Sequence, residues 1–332
     1  MEILIAETTY RRVQAEIERI APHATPVVLQ DDGSLIRDGC AVSVEEVQLE
    51  IAWASRDLYL DLEHSRVRDF MVAALKSDTL RWFQSGGAGV DHPVFGMISR
   101  KGVRLTNSDS GSVAIAEFVL AAVIDHYQPN QERREAQAKR SWKRFAFREI
   151  SGTTWLVIGL GNIGREVAVR AAAFGARVIG VRREPQGDEP VAEMIRPEEV
   201  NSALPRADVV ALCTSLNASS EGLVDAAFLS AMKPRSVLIN IARGSLIDEP
   251  ALLEGLDRGI PEYAILDVFE TEPLPAENTL WDHPRVRLTS HCAAEGSGSS
   301  ARGDRGFLDN LARYVAGESL SFELDPASFD AA

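Results

Sequence analysis

Short apolar runs separated by helix-length amphipathic stretches recur along the whole chain. Residues 3–6 read as a strand, and residues 10–20 as a helix with Val13, Ile17 and Ile20 on one face. Further strands are expected at 26–29, 49–53, 80–84 and 103–106, enough for one doubly wound open sheet. A long apolar helix is expected over 111–127, with Ser110 or Ser112 as its cap. Pro129 and a charged segment, 131–148, follow it. The alternation resumes at Thr153, with strands at 155–158, 177–181, 209–213, 237–241, 264–268 and 286–288. Pro205, Pro234 and Pro261 punctuate the helix-sized stretches between them. The tail, 296–332, carries one helix at 307–315, long enough to return and pack on the first domain. This pattern predicts an α/β chain with two doubly wound parallel-sheet domains. One comprises 1–106 plus 294–332, the other 107–293.

One turn in the second domain carries more than its pattern. Gly159-Leu160-Gly161-Asn162-Ile163-Gly164 follows an apolar strand and opens a helix in which Val167, Ala168, Ala171 and Phe174 recur at helical spacing. Gly175 closes that helix and a second strand follows, which makes a βαβ unit with glycines at its first turn. A bare backbone there lets a pyrophosphate reach the helix N-terminus, so the second domain reads as a Rossmann dinucleotide-binding domain. The second strand ends Val181-Arg182-Arg183-Glu184. The guanidiniums of Arg182 and Arg183 suit a 2′-phosphate, which favours NADP(H). Glu184 on a ribose hydroxyl keeps NAD(H) open.

The net charge of −14 argues against nucleic acid or an anionic membrane as partner, but not against a small anionic substrate. The basic residues between 131 and 148 alternate with glutamates and read as a solvated helix face or a subunit contact. Cys40, Cys213 and Cys292 lack metal-ligand spacing and leave an odd cysteine over, which fits a reducing cytosol and no metal site. The N-terminus has no basic leader, and no apolar run approaches the ~20 residues that span a bilayer. A cytoplasmic protein is expected.

Three later strand ends carry reactive side chains. Asn240-Ile241-Ala242-Arg243-Gly244 places an arginine after an apolar strand. Asp267-Val268-Phe269-Glu270-Thr271-Glu272-Pro273-Leu274 places acids after another, and His291 follows the last. Ligands of open α/β sheets lie outside the carboxyl ends of the strands, so these groups can converge there. With Met232-Lys233-Pro234 and the Ile163-Gly164 pair, the sequence from about Ser85 to Glu318 resembles the D-isomer-specific 2-hydroxyacid dehydrogenases.

The resemblance implies that Arg243, Glu272 and His291 are catalytic and that Asp267 holds the nicotinamide amide. It implies a flavodoxin-like substrate domain, and a homodimer joined through the nucleotide domains and the 111–127 helix. Ser85-Gly86-Gly87-Ala88-Gly89-Val90-Asp91 resembles the family's carboxylate loop, with amides near Ala88, Gly89 and Val90 facing the acid. Ile163 and the backbone of Cys213, Thr214 and Ser215 should line the cofactor groove, with Gly159, Gly161, Asn162, Gly164, Ile241, Ala242, His291 and Ala293 also in contact. Two departures stand out: Ser215 where the family often has proline, and Arg182 where it often has an acid.

The residues support those roles on their own chemistry. Arg243 can grip a carboxylate with two parallel hydrogen bonds. His291 titrates near neutrality, and Glu272 beside it would keep it protonated. His23, His64, His92, His126 and His283 read as surface or packing residues. Trp53 and Ser55 either line the substrate pocket or, for Trp53, belong to the core. Cys292 beside His291 is not expected to form a Cys–His nucleophile, because consecutive strand residues face opposite ways, and no G-x-S-x-G elbow is present. The expected activity is reduction of a small 2-oxo acid, glyoxylate or hydroxypyruvate in type. A dinucleotide-sensing regulator of the same fold, or a phosphite- or formate-type dehydrogenase, is the alternative.

Overall fold

A computed structural model describes residues 1–59 and 65–329. The chain divides into two compact units, Met1–Gly111 with Ser297–Ala332, and Ser112–Gly296. Both breaks fall a few residues beyond the 106/107 and 293/294 boundaries expected above.

The first unit is built on seven strands: β1 (Glu2–Ala6), β2 (Thr25–Leu29), β3 (Leu35–Arg37), β4 (Cys40–Val42), β5 (Leu49–Ala54), β6 (Trp82–Ser85) and β7 (Arg104–Thr106). Their order is β4-β3-β2-β1-β5-β6-β7. The run β2-β1-β5-β6-β7 is parallel and has flavodoxin-like order, its central strands apolar on both faces because helices cover both. The sheet is not wholly parallel, however. β3 and β4 add an antiparallel edge through a turn at Asp38-Gly39, both at positive φ (50° and 77°), with Arg37 paired to Cys40. Asp-Gly at a two-residue hairpin turn has a sequence signature, which the short, half-exposed strands obscured.

The tail returns to this unit as expected, but as a longer helix, Ser299–Val315. Its polar first half is held by Arg302, whose Nε donates to the Ser110 carbonyl at 2.8 Å, and by Asp304, which accepts from Arg12 Nε at 2.8 Å. Its apolar half buries Phe307 against Trp53, ring centroids 4.0 Å apart and nearly parallel, and against Trp82 at 5.3 Å. Trp53 is therefore core and not a substrate contact, since only 1 % of it is exposed. Ser55 is buried as well, its hydroxyl 2.6 Å from that of Thr9.

The second unit holds β8 (Thr154–Ile158), β9 (Arg177–Val181), β10 (Glu193–Ile195), β11 (Val209–Leu212), β12 (Val237–Asn240), β13 (Tyr263–Leu266) and β14 (Val286–Leu288). All pair in parallel in the order β10-β9-β8-β11-β12-β13-β14, the Rossmann order with one further strand. The strand order reverses between β8 and β11, which opens a crevice at their carboxyl ends. The Ser112–Tyr127 helix packs on the helix that follows the glycine turn, Asn162–Ala173. Neither serine expected to cap it does so. Ser110 Oγ donates to the Gly86 carbonyl at 3.4 Å, and Ser112 Oγ is buried without a partner among the described residues. No helix among the described residues is long and apolar enough to cross a membrane.

The Phe307 ring fills the space between Trp53 and Trp82, so Phe307→Ala should leave a cavity and cost about 3–5 kcal/mol. Equilibrium urea unfolding measures this. A loss below about 1 kcal/mol would mean the stack contributes little.

Candidate active site

Backbone geometry makes the glycine turn. Gly159 sits at φ 95°, and a Cβ there would lie 2.5 Å from the Thr214 amide nitrogen, so only glycine lets the β8 and β11 loops close up. A Cβ on Gly164 would meet the Gly159 carbonyl oxygen at 2.2 Å, which draws the helix onto its own entry turn. The amides of Gly159 and Leu160 both donate to the Val181 carbonyl, at 3.1 and 3.0 Å, fixing the turn to the end of β9. Gly161 caps the Asn162–Ala173 helix with no side chain in the way, and nothing lies within 4 Å of its Cβ position. Gly161 and Asn162 are exposed and Ile163 half-buried, leaving first-turn amides for a pyrophosphate. This cradle fits a dinucleotide.

Arg182 is half-buried at the end of β9, while Arg183 and Glu184 are exposed. The Arg182 Nη1 donates to the Leu160 carbonyl at 3.3 Å, which sets the guanidinium beside the glycine turn. On the other side of the switch point, the Cys213 amide donates to the Ile158 carbonyl at 2.8 Å. Burial pushes the Cys213 thiol up to about 12, so it stays protonated and unreactive near neutrality. Ser215, at the position where proline is common, has its carbonyl held by Ser220 Oγ at 2.9 Å and by Asn217 Nδ2 at 3.3 Å.

The Arg243 turn is fastened by Asn240, which is fully buried. Its Oδ1 accepts from the Ala242 amide at 3.0 Å and its Nδ2 donates to the Arg243 carbonyl at 2.8 Å. Reading for ionisable groups alone misses this clamp, although an Asn that bonds two residues onward is a known turn signal. Gly244 comes next, and a Cβ on it would fall 1.8 Å from the Phe269 carbonyl carbon. The arginine turn thus lies directly on the backbone of the loop that carries Glu272. Ile241 and Ala242 are buried beneath it.

Asp267 organises the histidine. Its buried carboxylate accepts from Thr289 Oγ1 at 2.6 Å and from the amides of Cys292 and Ala293, both at 2.9 Å. Its own carbonyl takes the His291 amide at 2.8 Å. His291 stands in a turn beyond β14 at φ 51°, a left-handed conformation that costs a non-glycine residue about 1–2 kcal/mol. Strand alternation therefore does not separate it from Cys292, contrary to the expectation above. What commits the imidazole is Glu272, whose Oε2 lies 2.7 Å from His291 Nδ1. Glu272 Oε1 accepts from the Phe269 amide at 2.9 Å.

The charges follow from this geometry. The hydrogen bond to Glu272 raises the His291 pKa above its ordinary value, against burial and the Arg243 charge, which lower it. Burial alone would raise Glu272, but its bonds from His291 and the Phe269 amide, with the charges of His291 and Arg243, hold it below the ordinary carboxylate value. Arg243 thus acts on both members of the pair. The imidazole remains half exposed at the sheet's carboxyl edge.

The remaining expected residues belong to the first unit. A Cβ on Gly86 would meet the Ala54 carbonyl oxygen at 2.5 Å, so the glycine seats the Ser85–Asp91 stretch on the end of β5. Ala88 and Gly89 are exposed and Val90 is half-buried. The Asn107 side chain holds the Ala88 carbonyl at 2.9 Å, and the Ser108 amide holds that of Gly87 at 3.1 Å. Of the other histidines, His92 caps the Pro93–Arg100 helix, His126 stacks on Tyr263 at 4.1 Å, and His283 accepts from the Arg285 amide. His64 lies outside the described residues.

Comparison with known proteins adds the family. A sequence profile described as D-isomer specific 2-hydroxyacid dehydrogenase, NAD binding domain, matches residues 120–293. The D-3-phosphoglycerate dehydrogenase of Bacillus subtilis is 33 % identical over 252 residues, covering 74 % of this chain and 46 % of that protein. The chain spans about half the length of the curated relatives it matches. Among solved structures, a D-isomer specific 2-hydroxyacid dehydrogenase family protein from Aeromonas salmonicida is 26 % identical, with a TM-score of 0.79 and 98 % of each chain covered. An NADPH-dependent glyoxylate/hydroxypyruvate reductase from Sinorhizobium meliloti, solved with NADP and sulfate, is 25 % identical, with a TM-score of 0.75 and 99 % of each chain covered. The profile covers more than half of the sequence, and the structural likeness extends over nearly all of it: this chain belongs to the D-isomer specific 2-hydroxyacid dehydrogenase family.

Proposed function

We propose that the protein is an NADP(H)-preferring D-2-hydroxyacid dehydrogenase that reduces a small 2-oxo acid of the glyoxylate or hydroxypyruvate kind. The observation that carries this reading is the 2.7 Å contact of a half-exposed His291 with Glu272, under the influence of Arg243. A bound reduced nicotinamide coenzyme would supply the hydride. His291 supplies the proton: Nδ1 is committed to Glu272, so Nε2 gives its proton to the carbonyl oxygen of the substrate. Glu272 favours the imidazolium form, and Asp267 with Thr289 keeps the ring in place. Arg243 pairs with the substrate's carboxylate and stabilises charge developing on its oxygen. In the oxidative direction, neutral His291 takes the proton from the hydroxyl.

The NADP(H) preference is supported by Arg182, held beside the glycine turn, and by the NADP found in the Sinorhizobium meliloti reductase. The homodimer we infer uses the second unit. Trp142 is 99 % exposed there, and Phe147 and Phe174 are half exposed. Phe147 also lines a largely polar crevice of about 1060 Å³, with Asp125, Glu132, Arg134, Glu262 and Arg287 among its other walls, room for a segment of a second copy.

Coupled assays with glyoxylate, hydroxypyruvate, pyruvate and D-3-phosphoglycerate test the reading as a whole; no turnover of any of them, alongside tight coenzyme binding, would favour a regulator. His291→Ala should lower reduction about 10²- to 10⁴-fold while coenzyme affinity survives. In the reductive direction kcat/KM should fall as pH rises through a pKa above the ordinary imidazole value of about 6.5, because the reacting form is the imidazolium. Glu272→Gln should move that limb to lower pH; a profile that stays put would remove Glu272 from the pair. Arg182→Asp should weaken NADPH and improve NADH use, and an unchanged preference would refute the coenzyme assignment. Trp142→Glu with Phe147→Glu should yield monomers in sedimentation velocity if the inferred face is the interface.

A further inference from the structure

Beyond Arg182 the chain does not run freely over the surface between β9 and β10. Glu189 folds it back: Oε1 accepts from the Gln186 amide and Oε2 from the Gly187 amide at 2.8 Å, with Gly187 at φ 86°. These amide donors, the Gln186 bond first, hold the Glu189 carboxyl below its ordinary pKa, so the turn is formed with the acid ionised. The folded turn presents the Gln186 side chain, whose Oε1 accepts from Arg182 Nη1 at 3.2 Å. The same Nη1 donates to the Leu160 carbonyl at 3.3 Å. The far end of the segment is fastened too. Arg165, in the helix that opens at the glycine turn, donates from Nη1 to Asp188 Oδ1 and from Nη2 to the Asp188 carbonyl, both at 3.2 Å.

Arg182 is thus held between the glycine turn and a bracket made by its own loop. Both contacts use one nitrogen, so the planar edge formed by Nε and Nη2 keeps the paired donors that match a phosphate. An unrestrained arginine would have to surrender the freedom of its long side chain when a phosphate arrived. One already held surrenders less, and binds more tightly for it.

We propose that Gln186 and Glu189 are positioning residues for coenzyme choice, holding Arg182 in the arrangement that meets a 2′-phosphate without touching the coenzyme themselves. The proposal rests on the NADP(H) reading above, and extends it from the residue that would bind to the residues that aim it. Arg165 and Asp188 close the same bracket against the glycine helix.

The test is a set of dissociation constants for NADPH and NADH, from titrations of reduced-nicotinamide fluorescence, which need no substrate. Gln186→Leu and Glu189→Ala alter exposed side chains and should each weaken NADPH about 3- to 10-fold, the share of one hydrogen bond, while NADH changes less than about twofold. In the Arg182→Ala background, Gln186→Leu should cause no further loss, because its effect passes through the guanidinium. A loss that persists in that background, or equal weakening of both coenzymes, would overturn the proposal by showing a merely structural role. If Arg182→Ala weakens NADPH and Gln186→Leu does not, the bracket fails while the coenzyme assignment stands. If Arg182→Ala itself leaves NADPH affinity unchanged, the coenzyme assignment falls first and the bracket with it.

Discussion

The buried carboxylate of Asp267 collects the Thr289 hydroxyl and the amides of Cys292 and Ala293, and through them decides where the His291 ring can stand. A charge in an apolar interior is tolerable only when its lone pairs are met, and three donors meet these. The exchange works in both directions. The carboxylate is satisfied by a turn that would otherwise be strained, and the turn holds its left-handed residue because the carboxylate gathers the amides after it. The Glu272–His291 contact depends on this knot, since 2.7 Å leaves little room for a turn that wanders.

The rest of the constellation is brought together by backbone approaching backbone. Gly244 lets the arginine turn lie on the Phe269 peptide, and Gly159 lets the nucleotide turn close on Thr214. Side chains at either position would force apart the loops whose reactive groups need to share one sheet edge. Interior packing and site assembly are here the same requirement, imposed on parallel strands whose carboxyl ends all face one way. The Asn240 clamp adds the final restraint on Arg243, with both halves of its amide committed to the turn it precedes.

Much of this was legible in the chain because the signals were local or long. The βαβ unit declares itself through glycines, an apolar strand and a helical period within thirty-odd positions, and the buried strands read as continuous apolar runs. The three ionisable groups lie at strand ends, which is why Arg243, Glu272 and His291 could be singled out together. What escaped was set by tertiary context. Strands β3, β4 and β10 have three residues each, too few for a period, although Asp38-Gly39 marked the hairpin. Trp53 sits at a strand end like the functional residues, but its surroundings are the Phe307 ring, supplied some 250 positions later. A linear reading extends to His291 a strand that stops at Leu288, because the hydrogen bonds by which Asp267 draws in the chain after it leave no mark in the sequence. Nothing in the linear sequence marks Gln186 and Glu189; only their hydrogen bonds distinguish them.

The return of the Ser299–Val315 helix has a bearing on how the polypeptide is made. As the nascent chain emerges, the opening hundred residues can pair their strands and lay Val13 and Ile17 on the sheet face bearing Ile3, Ile5, Ile51, Trp53 and Trp82, but cannot finish covering it, because Phe307 and Leu311 are still unsynthesised. The last core residue of the continuous second unit, Ala293, comes ahead of Phe307 in the chain. The earlier-made segment therefore stays partly wet and open to association while the whole nucleotide fold is synthesised, until the ribosome delivers its missing wedge.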